Sequence, residues 1–287
     1  MTICIGAYTQ HGPAVVLSAD TRGSYPSLYI SPNDQVGKQY PLPPYHCAVV
    51  VAGRATEGHE FIARLVQQFE LLSKADRTPY REEVMTAINE ARLAVYQFKI
   101  DQALQREIGL TFAEWHSRLF PPNEFDYALE AHGMRTVNDH PLNVSSIVGG
   151  FIADNVMFFC AKGMGDIQSE SSPGIHAIGS GSREAMETLN RRGQNLNYSL
   201  ARTIYHLHEA MLAAQQDSSV GPANNYLVLI KGQPLLHVRS DSDFLRNRFE
   251  YYKDKDNTAS LDSEASNKAI QCEMKPTELP PYDRSFP

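Results

Sequence analysis

Short apolar runs open this chain: Ile3–Tyr8 and Ala14–Ala19 stand on either side of a Gly12-Pro13 turn. Runs of that length, bounded by turn residues, read as a β-hairpin. The β-branched run His46–Ala52, closed by Gly53, reads as a buried strand. Two helices come next. Phe61, Ile62, Leu65, Val66, Phe69 and Leu72 share one face at helical spacing. Thr78-Pro79 then supplies an N-cap and a first-turn proline, and Val84, Ile88, Ala91, Val95 and Phe98 carry a second stripe to about Arg106. Strands are expected again at Ser146–Ile152, Val156–Ala161 and Ile175–Ile178. Helices follow near Arg183 and over 196–216, then strands at Tyr226–Ile230 and Pro234–Val238. Two antiparallel sheets held between helical layers satisfy that order, giving an α+β fold with four layers, αββα.

The chain has 287 residues, enough for one sizeable domain. We place that domain at 2–239. Within it, 109–143 holds the single Trp115, the Pro121-Pro122 pair and several histidines. It reads as an irregular insertion that covers a surface or makes subunit contacts. His116, His132 and His140 fit no metal-ligand spacing. Beyond about Ser240 polar and charged residues dominate, so 240–287 is expected to be a flexible tail. The net charge of −7 argues against nucleic acid as the main partner. Cys4, Cys47, Cys160 and Cys272 form no CxxC and read as reduced thiols. The N-terminus does not read as a signal peptide, and no apolar run approaches membrane-span length. The expectation is a soluble cytoplasmic protein with no metal or cofactor.

The chemistry starts at the second residue. Methionine aminopeptidases remove Met before small residues, so Thr2 is expected to become the N-terminus. An N-terminal threonine carries a hydroxyl nucleophile and its own base, an α-amine with a pKa of roughly 7.7–8. Other short segments then fall in a meaningful order: Leu17-Ser18-Ala19-Asp20-Thr21-Arg22, Lys38, Val51-Ala52-Gly53, Ala177-Ile178-Gly179-Ser180-Gly181-Ser182, and Gln216-Asp217-Ser218-Ser219-Val220-Gly221.

Taken together with Thr2-Ile3-Cys4-Ile5-Gly6, these segments resemble the proteasome β-subunit family of N-terminal nucleophile hydrolases, including its bacterial ring-forming relatives. The resemblance covers roughly Thr2–Gly232, with 109–143 outside it. It implies the N-terminal nucleophile hydrolase fold and a threonine peptidase acting on peptides or unfolded proteins. It also implies assembly with copies of itself into a ring. No Walker-type loop is present, so ATP-driven unfolding would fall to a separate partner.

The roles carried over are these. The Thr2 hydroxyl attacks the carbonyl, and its α-amine takes the proton. Lys38 stays protonated beside it, favouring the alkoxide and depressing the amine, with Asp20 as its carboxylate. The Gly53 N–H stabilises the oxyanion. Ser180 hydrogen-bonds near the amine, with Asp217 holding that end. The plainer readings are a surface lysine for Lys38, a turn or cap for Asp20, a strand-ending glycine for Gly53, a helix N-cap for Ser180 and a turn residue for Asp217. Val220 stands where the family turn has a second serine; Ser219 would replace it only if the turn shifts. The substrate-binding set implied by the resemblance is Thr21, Gly23, Val36, Tyr40, Val51 and Ala55. Its pocket walls carry no charge and suit an apolar side chain of moderate size. Two other readings remain, a non-catalytic ring scaffold and an amidohydrolase acting on small amides.

Overall fold

The structure is a computed structural model that describes residues 3–10, 13–20, 38–118, 127–169, 174–216, 220–221 and 223–276. The opening hairpin forms as expected: β1 (Ile3–Thr9) pairs antiparallel with β2 (Ala14–Asp20), with Cys4 opposite Ala19. After β3 (Gln39–Pro41) and β4 (His46–Gly53) come helices α1 (Ala55–Leu72) and α2 (Arg81–Ile108). The Glu83 carboxylate reaches back to accept from the Tyr80 N–H at 2.7 Å. That contact starts the helix at Arg81, two residues after the proline expected to open it.

Helices α3 (Phe112–Arg118) and α4 (Tyr127–Asp139) then lead to β5 (Val144–Ile152), β6 (Asn155–Lys162), β7 (Ile167–Ser169) and β8 (Ile175–Gly179). Next come α5 (Ser182–Arg191), α6 (Leu200–Ala214), β9 (Ala223–Ile230) and β10 (Leu236–Arg239). Finally α7 (Asp243–Tyr252), α8 (Glu264–Glu273) and β11 (Lys275–Pro276) follow.

The strands form two antiparallel sheets, one ordered β11-β10-β9-β2-β1-β8 and the other β3-β4-β5-β6-β7. Both faces of β1 and β2 are covered, which is why their sequences read as continuous apolar runs. On β1 and β2, Ile3, Ile5 and Val16 pack with α5 and α6, whereas Cys4, Val15, Leu17 and Ala19 meet Ala48, Val50 and Ile147 of the other sheet. Val49 and Val51 of β4 turn the opposite way, onto Phe61, Ile62 and Leu65 of α1.

Two expectations change. The 109–143 stretch is helical in its described parts: Trp115 of α3 is buried with Ile100 and Leu104 of α2, and its indole N–H donates to the Leu129 carbonyl. Residues 240–276 are not a flexible tail. Phe244, Leu245, Tyr252, Leu261 and Ile270 are buried in the α5/α6 core. At roughly 2 kcal/mol per fully buried large side chain, five such anchors outweigh a polar average composition. Polar contacts complete the docking: Arg192 pairs with Glu209 at 2.5 Å and donates to the Tyr252 carbonyl, and Arg202 pairs with Asp262 at 2.6 Å. Residues 277–287 lie outside the described residues.

Candidate active site

Asp20 closes β2 with its side chain fully buried, and three donors converge on its carboxylate. Oδ1 accepts from the Ile3 N–H at 2.9 Å and from Lys38 Nζ at 2.7 Å; Oδ2 accepts from the Gly221 N–H at 2.9 Å. Three donors of that kind satisfy both oxygens of the buried carboxylate. The arrangement sets aside the plainer readings of both residues. Asp20 is no simple turn residue, and Lys38, only 8% exposed, is no surface lysine.

The pair belongs to a closed hydrogen-bonded circuit. The Lys38 carbonyl accepts from the Val51 N–H at 3.1 Å, and the Val51 carbonyl accepts from the Cys4 thiol at 3.2 Å. Cys4 follows Ile3, whose N–H returns to Asp20. Burial pushes the Cys4 thiol far above its ordinary range; the Lys38 charge opposes that shift and the Asp20 charge adds to it. The thiol therefore stays protonated and acts as a donor between the sheets.

Four segment ends meet here. Ile3 pairs with Gly179 at the end of β8 and Cys4 with Ala19 near the end of β2. Ala52, next to Gly53, and Ile178, next to Gly179, join Cys4 and Ala19 in the apolar layer between the sheets. Gly53 ends β4 exposed, at φ +122°. A Cβ there would fall inside the Asn143 carbonyl oxygen, so only glycine fits. Ser180 is exposed beside Gly179, and the N-cap of α5 is Gly181, so the capping role does not fall to Ser180.

Thr2, Thr21, Gly23, Val36 and Asp217 lie outside the described residues. Among the other pocket candidates, Val51 lies in the cluster that faces α1, and Tyr40 packs against that cluster. Ala55 is half-buried at the start of α1. Val220 is buried among the apolar residues of the α5/α6 core, so its position supplies no hydroxyl. The neighbouring Gly221 instead gives its N–H to Asp20.

Reading the sequence alone missed the Cys4 thiol and the Gly221 N–H. Strand alternation placed Cys4 on the face opposite Ile3, which was the available signal; a backbone donor leaves none. Among the described residues, no group of three His, Cys, Asp or Glu side chains is placed to hold a metal ion. No described helix is long and apolar enough to cross a membrane.

No family model matches the chain, and no curated protein sequence matches it. Among solved structures it is similar to an Anbu (Gly-1) mutant from Hyphomicrobium sp. strain MC1. The TM-score is 0.60 at 13% identity, covering 95% of this chain and 99% of that one. Likeness at that identity is likeness of fold: an α+β arrangement of two antiparallel sheets with helices.

Proposed function

We propose that this chain is a threonine-type peptidase of the proteasome-like, N-terminal nucleophile kind, a four-layer αββα sandwich acting in the cytoplasm. The observation that carries the reading is the buried Asp20 carboxylate, which binds both the Lys38 ammonium and the N–H of Ile3, the residue bonded to Thr2. A fixed ammonium at the head of β1 is what an alkoxide nucleophile there requires.

With Met1 removed, the Thr2 hydroxyl attacks the peptide carbonyl and its proton passes to the α-amine, directly or through a water. The Lys38 ammonium stabilises the developing alkoxide. Gly53 donates its N–H to the oxyanion, and collapse returns the proton to the leaving amine. Water then resolves the acyl-enzyme by the same route in reverse. Ser180 and Asp217 support the amine. Thr21, Gly23, Val36, Tyr40, Val51 and Ala55 receive an apolar side chain of the substrate. The substrates are peptides or unfolded proteins, processed in a ring of copies of this chain and delivered by a separate ATP-driven unfoldase.

The test is intact mass before and after an N-terminal-threonine-directed peptide epoxyketone, alongside peptide turnover. Loss of Met1, one stable adduct, and abolished turnover in Thr2→Ala with the oligomer intact are expected. Retained Met1 with no adduct, or unchanged turnover in Thr2→Ala, would sink the mechanism.

A further inference from the structure

We propose that Glu57 and Lys99 are positioning residues for Gly53, acting through the backbone of residues 141–143; this rests on the peptidase reading above. Glu57 lies in the first turn of α1 with its side chain 8% exposed, and Lys99 of α2 is 13% exposed. One Glu57 oxygen accepts from Lys99 Nζ at 2.9 Å, and the other accepts from the Asn143 N–H at 2.8 Å. Lys99 also donates to the Pro141 carbonyl. The Asn143 carbonyl in turn accepts from the Arg54 N–H at 2.9 Å and presses against the Cα side of Gly53. Asn143 is thus gripped at both its N–H and its C=O, and the linker carbonyl before it is held by the lysine.

The consequence falls on Gly53. Its φ of +122° is a conformation that nothing local enforces, since glycine visits many. The fixed Asn143 carbonyl on one side, and the Arg54 N–H bonded to it, pick one conformation out of that freedom. An oxyanion donor works only when it is already aimed where charge will develop. Glu57 and Lys99 supply that aim without touching substrate. They also join α4, which ends at Asp139, to the site through the short linker that follows it.

The experiment uses the full-length chain, a fluorogenic Ala-Ala-Leu peptide amide as substrate, and the corresponding tripeptide aldehyde. The aldehyde forms a hemiacetal whose oxyanion needs the Gly53 donor. Glu57→Ala should lower kcat about tenfold to a hundredfold, the loss typical of a small misplacement. KM should change by no more than about twofold, because the lost interaction belongs to the transition state. Aldehyde affinity should fall in step with kcat/KM. Glu57→Gln keeps an oxygen for the Asn143 N–H but turns its NH2 toward Lys99 Nζ; it should lower kcat in the same direction as Glu57→Ala, and by less. Lys99→Met should lower kcat in the same direction by less than Glu57→Ala.

Wild-type kcat and aldehyde affinity in Glu57→Ala would overturn the proposal, as would a Gln variant as impaired as the Ala variant. Should Glu57→Ala not fold, Lys99→Met decides, and unchanged kcat and aldehyde affinity there overturn it. Absence of Thr2-dependent turnover in wild type would instead remove the peptidase reading and this inference with it.

Discussion

Asp20→Asn is the perturbation that most directly probes the site's physical basis. The carboxylate accepts two bonds at Oδ1 and one at Oδ2, every donor being a backbone N–H or an ammonium. An asparagine can keep its oxygen toward Ile3 and Lys38, but its NH2 then faces the Gly221 N–H, donor against donor. The Lys38 charge, in a side chain 8% exposed, is left against a neutral amide. Removing one member of a buried ion pair costs about 3–5 kcal/mol. For a chain of this size that lowers the melting temperature by about 10 °C.

The assay is thermal and urea unfolding of wild type, Asp20→Asn, Lys38→Met and the double variant. Lys38→Met should cost less than Asp20→Asn, because the Ile3 and Gly221 N–H groups still satisfy the carboxylate. The double variant should be more stable than the sum of the singles by about 2 kcal/mol, since the charge and its counter-charge leave together. Melting of Asp20→Asn within about 2 °C of wild type, or strict additivity in the cycle, would refute the reasoning. The result stands or falls on packing and charge, independently of whether Thr2 cleaves anything.

Two further outcomes follow from the same geometry. Gly53→Ala forces a Cβ into the Asn143 carbonyl at φ +122°; stability should fall by about 1–3 kcal/mol and peptide kcat by about a hundredfold, and a kcat equal to wild type would remove Gly53 from the oxyanion role. Acid should unfold the protein through buried histidines. Burial, helped by the Arg202 and Arg192 charges, lowers His206 from 6.5 to about 3, and it binds Gln194 and Thr258 as a neutral ring. The unfolded state therefore takes up the proton first: the contribution is complete above about pH 6.5 and is lost progressively toward pH 3, about 2 kcal/mol by pH 5. Urea titrations at pH 7.5 and 5 should show that loss and show it reduced in His206→Gln; an equal loss in that variant would assign the effect elsewhere.

The sequence announced the sheets and the principal helices because their signals are local. Gly12-Pro13 marks the β1–β2 hairpin, and the run ending at Gly53 marks β4. The C-terminal segment reads as a tail because composition averages over what packing counts singly. Phe244, Leu245, Tyr252, Leu261 and Ile270 are sparse among polar neighbours, yet each reaches the core. The polar half of that docking, Arg192 to the Tyr252 carbonyl and Arg202 to Asp262, joins residues 60 apart in the chain and has no sequence period to betray it. The site divides the same way. Asp20 and Lys38 were legible as residue types in a known order of segments. Glu57 and Lys99 were not, because an ordinary first-turn acid and an ordinary helix lysine gain meaning only where the fold brings them to Asn143.

Register is what turns these segments into a site. In antiparallel pairing, the start of β1, the end of β2 and the end of β8 must lie at the same edge of the sheet. Cys4 opposite Ala19 and Ile3 opposite Gly179 set where along that edge they meet. The end of β4 reaches the same place from the second sheet, through Ala52 packed with Cys4, Ala19 and Ile178. Slipping β1 by one residue would exchange its two faces. Ile3 would enter the layer between the sheets, Cys4 would leave the Val51 carbonyl, and the N–H offered to Asp20 would belong to a different residue. The apolar alternation that specifies the core thus also fixes which backbone N–H meets the carboxylate. Stability of the sheet and placement of the Lys38 charge are consequences of one register.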